Sequence, residues 1–322
     1  MSESAPPRLR ARIRAWAPWV VAAAVLAFVG TSVSLDALLN ALARVPAIPF
    51  GVLIIVLTTA TLMVDTLAIW LALAAVTPTT APRWRELLLV RAASALLSLL
   101  SYGAGQGGIV YFLYRRHGVP VEAGAGAVLV TSAASVLVVA LAAGVGLLLG
   151  AIPDHPELST VAWAALAILP TYLLVLVLRP RFLLRRRLLR HVFGVGVGAL
   201  LRVLAARACH LGVLITGHWL AMRLFDIHVP VAVALLQLPA VFLVGALPIS
   251  PSGLGTTQAA AVALFAPYAT GVDADHRQAT VLAYSLACHI TGVAVLLLLG
   301  FLSWRHIERR SLPPTTSVRE TA

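Results

Sequence analysis

The chain contains no lysine: all 24 basic side chains in its 322 residues are arginine, against 12 aspartates and glutamates. A phosphate-binding P-loop needs a lysine followed by serine or threonine after its glycines, and a strand before them, so the glycine cluster Gly103–Gly108 is not one. Nucleotide binding is not expected. Cysteine is almost absent, and Cys209 and Cys288 both lie inside apolar segments, which excludes a disulfide framework. Charge of either sign is scarce at 11% of residues, while 60% are hydrophobic and mean hydropathy is +0.95. That is more apolar surface than a soluble core buries, and no stretch long enough for a soluble domain remains between the apolar runs. The class is an all-α polytopic integral membrane protein.

The apolar runs are Ala15–Ser34, Pro49–Val76, Glu86–Tyr114, Val121–Ile152, Val161–Leu178, Ala199–Met222, Val229–Pro267 and Thr280–Phe301. About 20 apolar residues cross ~30 Å of hydrocarbon, so most of these are single spans. The first is read as a retained span rather than a cleaved signal peptide, because it is long and lacks a small-x-small cleavage site. Two runs are interrupted. Ser101-Tyr-Gly-Ala-Gly-Gln-Gly-Gly108 breaks one, and Leu247-Pro-Ile-Ser-Pro-Ser-Gly-Leu-Gly-Thr-Thr-Gln258 breaks the other. Irregular backbone at membrane depth is tolerated only where protein buries it or a wet cavity adjoins it.

A formal charge of +12 and a pI near 11.2 do not point to nucleic acid, because the arginines sit in short loops between apolar runs. They orient the chain instead. The groups Arg8–Arg14, Arg83/Arg85/Arg91, Arg115/Arg116, Arg179–Arg190 and Arg305–Arg310 go inside by the positive-inside rule, whereas Pro153–Thr160 and Ala269–Gln278 go outside. The segment from Arg91 to Arg115 then starts and ends inside, which makes it a re-entrant hairpin turning at Gly103–Gly108. Val229–Pro267 starts and ends outside and turns at Pro248–Gly255. The expected architecture is six full spans plus two opposed hairpins in an inverted-topology repeat, with halves at 15–152 and 161–301. A basic tail, 1–14, and a second tail, 302–322, are both placed in the cytoplasm.

The candidate site residues follow from these breaks and from buried charge. Gly105, Gln106 and Gly107 in the first break answer Gly253 and Gly255 in the second. A half-helix starting at Gly255–Thr256 offers unpaired N–H groups and a positive dipole end, with Ser250, Ser252, Thr256, Thr257 and Gln258 as side-chain partners, which suits a lipid phosphate. Asp65 falls near the middle of its span and requires a partner. Arg207 lies about 12 Å into its helix at 1.5 Å per residue and shares a face with His210 and His218, whereas Arg202 sits near the helix start and snorkels. Arg91 has three destinations open to it: Asp65, Glu86 or the headgroup layer. His210, His218, Cys209, Cys288 and His289 contain no i, i+4 histidine pair, so neither a metal nor another cofactor is expected. No Gly-x-Ser-x-Gly elbow is present to suggest a catalytic triad.

A glycine-rich break followed by the basic pair Arg115–Arg116, then Pro248-Ile-Ser-x-x-Gly-Leu-Gly-x-x-Gln258 before a last helix, resembles the lysylphosphatidylglycerol synthase transmembrane region, or flippase-like domain. The resemblance covers about Ala15 to Phe301 and implies a bacterial inner-membrane protein that moves or binds a phosphate-bearing lipid. Three lipid classes stay open: a phospholipid, an aminoacyl-phospholipid or a polyprenyl-linked lipid. Members with two parts carry a soluble synthase domain after the membrane unit; only about 20 residues follow Phe301 here, so no enzyme activity is expected. Two further readings stay open: a membrane-embedded transferase on a lipid-linked donor, and an accessory subunit partnering a cell-envelope enzyme. The oligomeric state is left open.

Overall fold

The computed structural model describes residues 34–77, 81–150, 194–247 and 250–311, with isolated positions 160, 163, 174 and 178. The spans expected over Ala15–Ser34 and Val161–Leu178 lie almost wholly outside the described residues, as do the two tails apart from 302–311. Among the described residues there are nine α-helices and no strand. They are α1 (Leu35–Arg44), α2 (Ala47–Val76), α3 (Trp84–Ser98), α4 (Tyr102–His117), α5 (Val121–Leu148), α6 (Val197–Leu224), α7 (Val231–Ala246), α8 (Thr256–Phe265) and α9 (Ala274–Ser311). Four of them, α2, α5, α6 and α9, are long and apolar enough to cross a membrane.

Local chemistry accounts for the helix limits. Ser34 caps α1 by accepting the Ala37 N–H at 3.3 Å, a helix the run analysis did not foresee because it is short and amphipathic. Pro46 precedes α2, where a missing N–H is harmless. Within α2 the Thr66 hydroxyl returns to the Leu62 carbonyl at 2.7 Å, satisfying a polar group without leaving the helix. Gly118 ends α4 at φ +64°, with Gly118 N–H on the Tyr114 carbonyl and Val119 N–H on the Leu113 carbonyl. The last helix runs to Ser311, ten residues beyond the expected span end at Phe301, because nothing before Pro313 interrupts it.

The helices form one bundle with two distinguishable ends. At one end Arg116 donates to the Ile307 carbonyl at 3.0 Å, His117 stands 3.8 Å from Glu86, and the Trp70 indole donates to the Pro82 carbonyl. This end carries Arg83, Arg85, Arg115, Arg116 and Arg305. At the other end the Ser34 N–H meets Asp275 at 3.2 Å, the His228 N–H meets the Tyr268 carbonyl at 2.8 Å, and Ile227 bridges Ala269. Asp226, Asp273 and Asp275 lie here, and His276 donates its backbone N–H to Asp273 at 2.8 Å, which holds that carboxyl below its ordinary range. Both ends of the α3–α4 hairpin are therefore at the basic end and both ends of the α7–α8 hairpin at the acidic one. The two hairpins enter the bundle from opposite directions.

Their helices are short. α3, α4, α7 and α8 have 15, 16, 16 and 10 residues, or about 15 to 24 Å at 1.5 Å per residue, less than a ~30 Å hydrocarbon core. The second turn falls where expected, between Leu247 and Gly255, with a 3-10 turn at Pro251–Gly253; Pro248 and Ile249 are outside the described residues. The first does not. It lies at Leu99–Ser101, because Ser101 caps α4 through the Ala104 N–H at 3.1 Å and the glycines then continue as helix. Gly105 is a packing residue: a Cβ there would fall 1.9 Å from the Ser98 hydroxyl across the hairpin.

The outer faces of α2 and α9 expose large apolar side chains such as Ile48, Val56, Ile290 and Leu298, a surface suited to lipid rather than water. A cysteine introduced at Arg116 and one at Val272, the latter 96% exposed, in a Cys209→Ser background, are expected to react with a membrane-impermeant maleimide from opposite sides of sealed vesicles. Labelling of both from one side would contradict the two-ended bundle.

Candidate functional site

A buried carboxylate needs compensation, and Asp65 on α2 obtains it twice. Arg91 on α3 donates its Nε–H to Asp65 Oδ2 at 2.5 Å, and Arg207 on α6 donates from Nη1 to Oδ1. Asp65 is 8% exposed and is the only buried acid among the described residues. Of the destinations open to Arg91, it takes Asp65; Glu86 faces His117 and the Arg83 N–H instead. Arg202 turns away, exposed, with its Nε–H on the Gly198 carbonyl of its own helix. Two guanidinium groups against one carboxylate leave a net positive charge. Arg207 Nε is buried and has no partner, so one donor of the cluster is unspent.

This cluster borders a cavity of about 220 Å³ lined by Thr58, Thr61, Asp65, Arg91, His210 and His218 among others, enclosed by α2, α3, α6 and α9. A second cavity, about 370 Å³, lies between α6, α7, α8 and α9 and is lined by Gly245, Ser252, Thr257, Gln258, Tyr284, Ser285 and His289, with apolar walls from Leu238, Val241, Phe242 and Phe265. The two share Leu214, His218, Cys288, Gly292 and Leu296, and so adjoin across α6 and α9. At the junction His218 Nδ1 and the Tyr284 hydroxyl share a hydrogen bond of 2.8 Å.

The proline–glycine turn shapes the second cavity. Gly253 and Gly255 adopt φ +73° and +86°, and a Cβ on Gly253 would lie 2.8 Å from Gly245 Cα, so 253 needs glycine for both backbone and space and 255 for backbone. Ser252 also takes a positive φ of 55°. Ser250 and Thr256 bond each other at 3.1 Å, and Thr256 donates to the Gly253 carbonyl, which turns both inward on the loop rather than to the cavity. Gln258 accepts the Gly255 N–H through Oε1 at 2.6 Å, leaving its buried Nε2 unpartnered. Of the expected residues, Asp65, Arg91 and His210 line the first cavity, with Arg207 behind them on Asp65, and Ser252, Thr257 and Gln258 line the second. Ser250, Gly253, Gly255 and Thr256 build the turn behind it. Gly105, Gln106 and Gly107 line neither cavity, because the first break is helix.

Thr58, Thr61, Tyr284 and Ser285 were not singled out from the sequence. They lie in apolar runs as Thr58-Thr59-Ala60-Thr61 and Tyr284-Ser285, and nothing at the level of spacing separates a hydroxyl that lines a cavity from one bonded to its own helix. Among the described residues no three His, Cys, Asp or Glu side chains converge as a metal would require.

A bundle of apolar helices with a buried ionic cluster beside opposed short hairpins defines a polytopic helical membrane protein. The chain belongs to the family described as Lysylphosphatidylglycerol synthase TM region, which it matches over residues 15–300. The family ties it to membrane lipid. Neither the curated proteins nor the solved structures contain a match.

The Arg91–Asp65–Arg207 cluster makes a quantitative expectation. Removing one partner of a buried charge pair leaves the other uncompensated, at a cost of about 3–5 kcal/mol. Asp65→Asn and Arg207→Met should each lower thermal stability strongly in detergent, the double variant should lose less than the sum, and Arg202→Ala should change stability by less than about 0.5 kcal/mol. Additive losses at 65 and 207 would show that the two do not act on each other.

Proposed function

We propose that the chain is a lipid flippase-like protein that takes the phosphate-bearing headgroup of a membrane lipid into the paired cavities while the tails remain in the bilayer. The observation that carries this reading is the net positive Arg91–Asp65–Arg207 cluster, of which Arg91 and Asp65 line a cavity and Arg207 keeps a buried Nε without a partner. Stability alone is a weak reason for such a triad, since well-packed apolar side chains often replace buried ion pairs without loss. An arginine fork held by an aspartate is preset for phosphate oxygens: Asp65 fixes the guanidinium planes and leaves a donor for the ligand.

The opposed hairpins give the movement its geometry. In this reading they are re-entrant, each reaching the bilayer interior from its own face, and the two halves are an inverted repeat whose rocking exposes the cavities alternately. The basic end then faces the cytoplasm of a cell with an inner membrane, and both termini with it. The reading assigns the chain no catalytic step. Asp65, the one buried acid among the described residues, is engaged on both oxygens by guanidinium groups, which weighs against its acting as the base of the transferase alternative.

Reconstitution tests this. The full chain in proteoliposomes should speed transbilayer movement of a fluorescent phosphate-bearing lipid, Arg207→Met should lower that rate by about tenfold or more, and Arg202→Ala should leave it unchanged. A wild-type rate equal to that of protein-free vesicles, for phospholipids and polyprenyl phosphates alike, would overturn the transport reading.

A further inference from the structure

The substrate-class question rests on the headgroup reading above and turns on which donors and acceptors the cavities leave free. An ammonium group entering such a site needs a carboxylate. Asp65 is the only buried acid among the described residues, and both of its oxygens are taken by Arg91 and Arg207. Glu86, Glu122, Asp36, Asp226 and Asp273 are exposed and line neither cavity. No Asp, Glu or Arg lines the larger cavity, which offers the hydroxyls of Ser252, Thr257, Ser285 and Tyr284 and the amide of Gln258.

Gln258 is the informative residue. It is fully buried, at 0% exposure. Its Oε1 meets a backbone N–H, which only an oxygen can do, so the amide orientation is set and the remaining NH₂ is a donor. That donor has no partner in a protein cavity where unsatisfied polar groups cost free energy. It calls for an acceptor oxygen, and because no arginine lines this cavity to compensate an anion, a neutral one such as a hydroxyl or an ester carbonyl fits.

We infer that the paired cavities select an anionic lipid whose headgroup is uncharged and hydroxylated beyond its phosphate, with the phosphate at Arg91, which Asp65 holds on the cavity wall, and the hydroxylated part beside Gln258, and that they reject amino-bearing headgroups. The shared chemistry is a phosphodiester carrying a polyol. It has two sources, a glycerol headgroup on a diacyl lipid and a sugar on a polyprenyl phosphate.

The test is competitive lipid retention by the purified full chain, read by native mass spectrometry. The probes are phosphatidylglycerol, a polyprenyl-phosphoryl hexose, phosphatidylethanolamine and lysylphosphatidylglycerol in equal amounts. The expected result is that one of the first two is retained about tenfold or more over both amino lipids, the preferred one naming the source. Gln258→Glu keeps an oxygen for the Gly255 N–H and puts a second oxygen where the NH₂ stood, so it should shift retention toward the amino lipids. Because this variant preserves the turn's hydrogen bond, a folded, lipid-binding protein with unshifted preference counts against the inference. Equal retention of all four, or preference for the amino lipids by the wild type, overturns it while leaving the headgroup reading standing. Retention of none of the four would overturn the headgroup reading itself.

Discussion

The bundle depends on where one carboxylate, Asp65, finds its positive charge. It draws Arg91 from α3 and Arg207 from α6 onto α2, tying the first hairpin to two long helices through charge-assisted hydrogen bonds. In hydrocarbon no water competes for these groups, so the positions of three helices are constrained by a requirement that none of them can meet alone. The cavity beside the cluster follows from that constraint: Asp65 and Arg91 are held at its edge, and Thr58, Thr61 and His210 complete a polar wall in an otherwise apolar interior.

The second hairpin meets a different requirement. Its turn must reverse the chain where backbone groups cannot be left to solvent, and it does so by internal bonds: Ser250 to Thr256, Thr256 to the Gly253 carbonyl, and Gln258 to the Gly255 N–H. Glycine at 253 and 255 permits positive φ and lets the turn approach Gly245 on α7. The result is a turn bonded within itself that leaves the buried Gln258 Nε2 without a partner. The His218–Tyr284 bond then stands between the two polar regions, linking α6 to α9 where the cavities adjoin.

Much of this could be read from the sequence, and the reasons differ by element. The long apolar runs gave α2, α5 and α6 to within a few residues, because a continuous hydrophobic stretch between arginines has few other fates in a membrane. Asp65 was recognisable because a buried acid in an apolar run is costly, although the sequence left Arg91 with three destinations that only side-chain placement could separate. The first turn was misplaced because glycine signals a break and close packing alike. In α4 the cap at Ser101 restores the helix, and Gly105 serves the approach to Ser98. In the second break prolines accompany the glycines, helix continuation is blocked, and the turn lies where they are. The α1 helix was too short for a run-based reading, and the lining hydroxyls carry no signal in spacing.

On the headgroup reading, the Arg91–Asp65–Arg207 cluster holds a lipid phosphate. The most direct measurement is an electron cryo-microscopy structure of the full chain in nanodiscs containing anionic lipid. Tetrahedral density is expected within hydrogen-bond distance, about 2.7–3.2 Å, of the Arg91 guanidinium, with the acyl chains leaving toward the bilayer. A cavity filled by acyl chains or water alone, with both guanidinium groups bonded to Asp65 and no phosphate beside them, would contradict it.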